Sequence, residues 1–197
     1  MIAPSFCGEE LLVGVSTTDI TPGDDYPVSG YYAERLSTGT KDPLQAKALV
    51  FRQGDRAAAF VVCDLIAVAS DLSAEIRKRV ERQTGMPGDH VIVAATHTHT
   101  GPDYGRELFS VMTGRPLPES WQDRQPYVPR MIEAVTAAVV EAFESASPGT
   151  LLAGAAVQQR PVAFQRRFRL KDGSYRTWAS AADADVIRPA GPIDPEV

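Results

Sequence analysis

The sequence predicts an α/β fold: a mixed β-sheet with flanking helices. Three observations carry the prediction. Two apolar runs, 46–52 and 57–64, are separated by Gln53-Gly54-Asp55-Arg56, the pattern of a β-hairpin with a glycine in its loop. Residues 70–84 repeat Leu72, Ile76 and Val80 every four positions, which marks one apolar helix face. A third apolar run at 90–96 follows that helix at once, so strand, helix and strand read as a βαβ crossover.

The remaining elements follow in chain order. Residues 1–10 read as a disordered tail and 11–197 as the folded part, opening with a short strand at 11–15. Asp19-Ile20-Thr21-Pro22-Gly23-Asp24-Asp25 is a turn by its Pro, Gly and Asp content. Ser70 or Asp71 is placed to cap the first helix, and Gly85-Met86-Pro87-Gly88 to stop it. Residues 103–125 are polar and hold Gly114, Pro116 and Pro118, so they read as a long loop or a short insertion. Long loops in compact domains are often functional. A second helix at 127–145 carries Met131, Val135, Val139 and Phe143 on one stripe, whose plain reading is core packing. Pro148-Gly149 ends it, and 150–157 reads as a further strand. Within 158–177, Lys171-Asp172-Gly173 reads as a hairpin turn.

Composition narrows the function. Hydrophobic residues make up 44% and charged residues 23%, ordinary values for a globular chain. The net charge is −5, and the densest basic stretch, Arg166-Arg167-Phe168-Arg169, is short; nucleic acid as a partner is argued against. No stretch has the apolar length of a transmembrane helix. Residues 1–10 show neither the basic nor the apolar region of a signal peptide. Cys63 sits inside an apolar run and reads as a buried thiol, Cys7 lies in the tail, and no disulfide framework is expected.

The segment Val91-Ile92-Val93-Ala94-Ala95-Thr96-His97-Thr98-His99-Thr100-Gly101-Pro102 places two of the chain's 3 histidines at the end of a strand. On a strand, positions i and i+2 share a face with Cα atoms about 6–7 Å apart. Two imidazoles at that spacing can share one metal ion, or one can bind metal while the other works on substrate. The plain alternative is a pair of histidines without a ligand, and on spacing alone the two readings stand level. A catalytic zinc usually takes three protein ligands and a water. His90 cannot be the third, because its odd separation from His97 points it to the opposite face. A third ligand would be Asp, Glu or Tyr, or would come from outside this chain. A metallo-β-lactamase pattern is argued against by Pro102. A barrel amidohydrolase carries its His-x-His on the first strand, whereas here several strands precede it. Arg166 and Arg167 suit a carboxylate or oxyanion, with a solvated hairpin face as the plain reading. Asp64, at a strand end, reads more simply as a turn cap.

An ordered set of motifs resembles the N-terminal part of the neutral/alkaline non-lysosomal ceramidase family. Gly14-Val15-Ser16-Thr17-Thr18-Asp19-Ile20-Thr21-Pro22 resembles the family's opening strand and Asp-Ile-Thr-Pro turn, and Gly30-Tyr31 follows. Asp42-Pro43-Leu44-Gln45-Ala46-Lys47 resembles its next strand, and Cys63-Asp64-Leu65 its Asp-Leu strand end. Thr96-His97-Thr98-His99-Thr100-Gly101-Pro102 resembles its Thr-His-Thr-His-Ser-Gly-Pro signature, with Thr100 in place of Ser. Gln165-Arg166 resembles an Asn-Arg motif, with Gln165 in place of Asn, and Gly191-Pro192-Ile193-Asp194-Pro195 resembles the family's Gly-Pro-Val-Asp-Pro.

The resemblance implies the N-terminal portion of a larger α/β zinc hydrolase domain, one that cleaves the N-acyl bond of ceramide to sphingosine and fatty acid. It implies zinc (Zn2+) as cofactor and a ceramide-like lipid amide as substrate. His97 corresponds to a zinc ligand, His99 to the histidine facing the reacting centre, and Arg166 to an active-site arginine. The family's other zinc ligands, a His, a Glu and a Tyr, lie downstream of the matched region. The chain is therefore expected to be an incomplete N-terminal domain that is inactive alone, lacks the C-terminal part of the same domain, and exposes an apolar surface where that part docks. Family members are commonly secreted or membrane-associated. Two other readings stand beside this one: a related zinc hydrolase of another substrate class, and a catalytically dead module that binds a partner through a sheet edge.

Overall fold

The computed structural model describes residues 9–31, 33, 35–104, 114, 126–160, 164–180 and 182–196. Most of the expected tail, Cys7 and nearly all of the loop expected at 103–125 lie outside the described residues. The chain divides into two compact units, Met1–Thr150 and Leu151–Val197.

The first unit is built on a five-stranded sheet, with strands β1 (Leu12–Asp19), β2 (Gln45–Gln53), β3 (Arg56–Cys63), β4 (Val91–Ala95) and the two-residue β5 (Ser147–Pro148), in the order β4-β3-β2-β1-β5. β3 and β4 run parallel, from Ala59 opposite Val91 to Cys63 opposite Ala95; the other pairs are antiparallel. Two helices complete the unit, α1 (Ser70–Thr84) and α2 (Tyr127–Glu144). The expected hairpin is β2–β3, closed at Gln53 opposite Arg56, and the expected crossover is β3–α1–β4. The mixed sheet with flanking helices is therefore what the chain forms.

Alternation along the strands sorts the sheet into two faces. Ala46, Ala48 and Val50 of β2, Ala59, Val61 and Cys63 of β3, and Val91 of β4 are buried in one core with Leu72, Ile76 and Val80 of α1 and Met131, Val135 and Val139 of α2. Each buried Val or Leu side chain stabilises the unit by about 1.5–3 kcal/mol. The stripes foreseen on both helices are thus core. α2 approaches β1 so closely at Gly14 that a Cβ there would land on the Ala142 carbonyl oxygen. The other sheet face carries Val15, Leu49, Phe60 and Ile92 in one cross-strand row, with Val15 69%, Phe60 42% and Ile92 46% exposed.

Several boundaries differ from the expectation. β1 extends to Asp19, because Ser16, Thr17 and Thr18 pair with Ala48, Lys47 and Ala46 across the whole of β2. The polar Ser16 on the helix-facing side is accommodated by its hydroxyl, which donates to Glu141 Oε2 at 2.6 Å. α1 is not capped by Ser70 or Asp71: its cap position is Ala69 and no side chain closes it. The Ala69 N–H donates instead to the Tyr104 hydroxyl at 3.0 Å. Asp71 Oδ1 accepts only from the adjoining Leu72 N–H, at 2.8 Å. α2 ends at Glu144, before Pro148 is reached, and Ser147 and Pro148 instead form β5 on the β1 edge.

The second unit holds a three-stranded sheet in the order β7-β6-β8, with β6 (Arg167–Leu170), β7 (Tyr175–Thr177) and β8 (Val186–Pro189). β6 and β7 form the expected hairpin; Asp172 Oδ1 accepts the Ser174 N–H at 2.9 Å in its turn. The strand expected at 150–157 is absent. Residues 151–156 are irregular, and Val157 makes only an isolated bridge to Glu196. Among the described residues, no strand pairs with 151–156.

Candidate functional site

The site forms where the parallel strands β3 and β4 end, the edge at which open α/β sheets place ligands. Three segments converge there: 64–69 after β3, 96–104 after β4, and, between β1 and β2, residues 26–31 with 35–37. Asp64 ties the strand ends together, accepting the Gln45 N–H at 2.9 Å on Oδ2 and the Thr96 hydroxyl at 3.2 Å on Oδ1. The sequence reads Asp64 as a turn cap; its carboxylate instead bonds to Gln45 at the start of β2 and to Thr96 just past β4. Tyr104 donates its hydroxyl to the Ala67 carbonyl at 2.7 Å while accepting from Ala69, which pins the 64–69 segment. Burial pushes the phenol of Tyr104 above its ordinary range. Burial, with Asp64 adjoining, pushes the Cys63 thiol up to about 12, so it is the inert buried thiol expected.

β4 ends at Ala95, so His97 and His99 do not lie on the strand. His97 adopts φ 61°, a left-handed conformation uncommon for a residue with a Cβ. The equal-face argument for positions i and i+2 therefore does not apply to these two residues. The pair nevertheless comes together: the ring centroids lie 5.2 Å apart at 77°. Both residues are exposed, while Gly101 and Pro102 beneath them are buried.

The protonation pattern of His97 follows from its partner. Its Nδ1 lies 2.7 Å from the Ile66 carbonyl oxygen, which can only accept. Nδ1 therefore carries the hydrogen, and in the neutral ring Nε2 keeps its lone pair. A backbone carbonyl holding the far nitrogen is the usual support for a metal-binding imidazole. The strained turn delivers the ring to that carbonyl. His90, in a 3-10 turn before β4, spends its Nδ1 on the Ala57 carbonyl at 2.9 Å and stays out of the site.

Residues 26–31 and 35–37 are stitched to the histidine loop. Ser29 donates its N–H to the Gly101 carbonyl at 2.9 Å and its hydroxyl to the Pro102 carbonyl at 3.1 Å. The Asp103 N–H returns to the Pro27 carbonyl at 2.8 Å. Burial pushes the Asp103 carboxyl up to about 6, against a smaller lowering by the Ser29 hydroxyl. At the tip, Gly30 has φ 97°, and a Cβ there would stand 2.5 Å from His99 Cγ. Glycine is required both by the backbone and by the imidazole it cradles. Tyr31 and Arg35, neither singled out as a site residue from sequence, also border His99. Their separation along the chain hides this, and the only signal was the Gly30-Tyr31 pair within the ordered motifs.

Arg166 belongs to the second unit, just before β6. Its guanidinium Cζ lies 4.3 Å from the Trp178 ring centroid, and its carbonyl accepts the Trp178 N–H at 3.1 Å. Gln165, the departure from the Asn-Arg pattern, uses its Oε1 to accept the Arg167 N–H at 3.2 Å. A cleft of about 420 Å³ in the first unit is lined by Gly23, Asp24, Asp25, Tyr26, Tyr127 and Arg130 among others, and contains neither His97 nor His99. Among the described residues, no three His, Cys, Asp or Glu side chains gather to hold a metal.

A family model described as neutral/alkaline non-lysosomal ceramidase, N-terminal, matches residues 11–164. The chain belongs to this family. Among solved structures, one described as a ceramidase complexed with C2 superposes with a TM-score of 0.63 at 21% identity, covering 77% of this chain and 24% of that one. The neutral ceramidase from Pseudomonas aeruginosa superposes with a TM-score of 0.61 at 21% identity, covering 82% of this chain and 25% of that one. Both likenesses establish the shared fold. The chain spans about a quarter of the length of these ceramidases. Among the described residues, no helix is long and apolar enough to cross a membrane.

Proposed function

We propose that this chain carries the His97–His99 part of a zinc-dependent amidase site that cleaves the N-acyl bond of a ceramide-like lipid. The observation that supports this reading best is the Nδ1 hydrogen bond from His97 to Ile66, which leaves Nε2 as a metal-ready donor. The residues fit zinc in chemistry: an imidazole with a fixed tautomer, and a second imidazole 5.2 Å away. His97 would hold the ion, and zinc when bound supplies a Lewis acid that polarises the amide carbonyl. His99, its ring cradled by Gly30, faces the reacting centre and offers a ring N–H to the oxygen that gains charge as the amide is attacked. Arg166 is proposed, from its motif alone, as a further cation for that charge. The reading requires more ligands, and it assigns them to the part of such an enzyme outside the region matched here. This chain by itself would then be inactive.

Zinc titration of wild type, His97→Ala and His99→Ala tests the assignment, alongside hydrolysis of an N-acyl sphingosine. Zinc binding is expected in the wild type, absent in His97→Ala and weakened in His99→Ala. Equal zinc affinity in wild type and His97→Ala would overturn the ligand assignment. Ceramide hydrolysis by this chain that His97→Ala abolishes would overturn its inactivity alone.

A further inference from the structure

We propose that Tyr31 and Arg35 are positioning residues that clamp His99. The inference deepens the amidase reading and rests on it for its catalytic meaning. The clamp is carried by residues 26–31 and 35–37, whose base is a short antiparallel ladder. Asp25 N–H donates to the Ser37 carbonyl, Ser37 N–H to the Tyr26 carbonyl, and Val28 N–H to the Arg35 carbonyl, all between 2.8 and 2.9 Å. An isolated bridge from Val28 to Pro102 joins this ladder to the histidine loop. The base is thus fixed from both sides, and it carries Gly30, Tyr31 and Arg35 to His99.

Three contacts converge on that residue. Arg35 Nη2 donates to the His99 carbonyl at 3.0 Å, a charge-assisted bond to the backbone that carries the imidazole. The same guanidinium stacks on the Tyr31 ring, with Cζ 3.9 Å from its centroid. The Tyr31 ring meets the His99 ring edge-on, at 6.4 Å and 78°. Gly30 closes the third side against His99 Cγ and Nδ1. Arg35 is exposed and Tyr31 is 50% exposed, so neither is spent on the core. Arg35 holds the His99 backbone and seats the Tyr31 ring, and Tyr31 meets the exposed imidazole, which would otherwise turn freely about its χ angles. His97 is fixed by its own bond to Ile66. Each histidine therefore has a separate restraint, and the clamp supplies that of His99.

The test is NMR of the full chain without metal, reading the imidazole correlations of His99 and their NOEs to the Tyr31 ring. Arg35→Met keeps the side-chain stem and removes the charge and the donor. It is expected to abolish the His99–Tyr31 NOE and broaden the His99 signals, while those of His97 stay unchanged. Arg35→Lys, which keeps a cationic donor, is expected to restore the NOE in part; a residue serving only as general packing would not show that rescue. Should Arg35→Met fail to fold, Tyr31→Leu is read through broadening of the same His99 signals. Unchanged His99 signals and NOE in a folded Arg35→Met would overturn the clamp. Zinc added to the wild type separates the two readings. His97 signals that ignore zinc overturn the amidase reading whatever Arg35 does, and a zinc response beside an unmoved His99 in Arg35→Met overturns the clamp alone.

Discussion

Gly30→Ala is the sharpest test of how the site is packed. Two costs add at this position. The first is conformational: an L-residue held at φ 97° pays about 1–2 kcal/mol for the left-handed side of the map. The second is steric. The new methyl would lie 2.5 Å from His99 Cγ, 2.6 Å from Nδ1 and 2.7 Å from Cβ. Two of these are ring atoms and the third is the Cβ that carries the ring, not a flexible tip, so His99 has to shift with its backbone; overpacking of this kind costs about 1–3 kcal/mol. The sum is about 3 kcal/mol, which for a unit of this size lowers Tm by about 6–12 °C. Gly85→Ala separates the two costs, because Gly85 has φ 73° with open space around its Cα, and is expected to lose only about 1 kcal/mol. Thermal unfolding followed by circular dichroism reads both variants. A Gly30→Ala midpoint equal to that of Gly85→Ala, with the His99–Tyr31 NOE intact, would refute the claim that the imidazole fills the space above Gly30.

Three further outcomes are expected. Asp64→Ala strands the Gln45 N–H and the Thr96 hydroxyl and is expected to cost about 2 kcal/mol in urea unfolding, with Asp64→Asn recovering part of that loss. Asp103 is raised from 3.8 to about 6 in the folded chain, so the unfolded chain loses its proton first and stability falls as pH climbs from about 4 to about 6. Asp103→Asn removes this slope; discounted for its partial exposure, it is expected to be about 1 kcal/mol more stable than wild type at pH 8 and equal to it near pH 3. A stability difference between wild type and Asp103→Asn that does not change across that window would contradict the buried carboxylate. In a Cys7→Ser background, Cys63, held at about 12 and buried, is expected to react with a thiol reagent only at the rate of unfolding; fast labelling under native conditions would show otherwise.

How much of the fold was legible depended on whether the signal was local. The β2–β3 hairpin, α1, β4 and α2 each announce themselves through periodicity and a nearby glycine, and each formed close to its expected place. The misses share a cause in partners distant along the chain. β1 outran its apolar stretch because β2 offered a pairing partner as far as Gln45, and a hydroxyl at Ser16 found Glu141. No side chain closes the α1 cap at Ala69, and the Ala69 N–H goes instead to Tyr104, 35 positions on, which no capping rule reaches. The expected strand at 150–157 failed for the converse reason: among the described residues, 151–156 meet no strand to pair with.

The candidate site shows the same division more sharply. That His97 and His99 sit together was legible, but the strand geometry invoked for it was not the operative one. A strand would have put both rings on one face by alternation alone. The chain instead leaves β4 after Ala95 and turns through a left-handed His97. That turn would be unfavourable without compensation, and the Ile66 carbonyl provides it by taking the Nδ1 hydrogen. The consequence is functional. On a strand, the two imidazoles would be equivalent neighbours with open tautomers. In the turn they are distinct, His97 with its tautomer fixed by the backbone and His99 held from the side by Gly30, Tyr31 and Arg35. A division of labour between a ligand and a substrate-facing histidine needs that asymmetry, and the residues that create it lie 31 positions upstream of His97, at Ile66, and 64 or more upstream of His99, at Arg35, Tyr31 and Gly30, where spacing rules do not look.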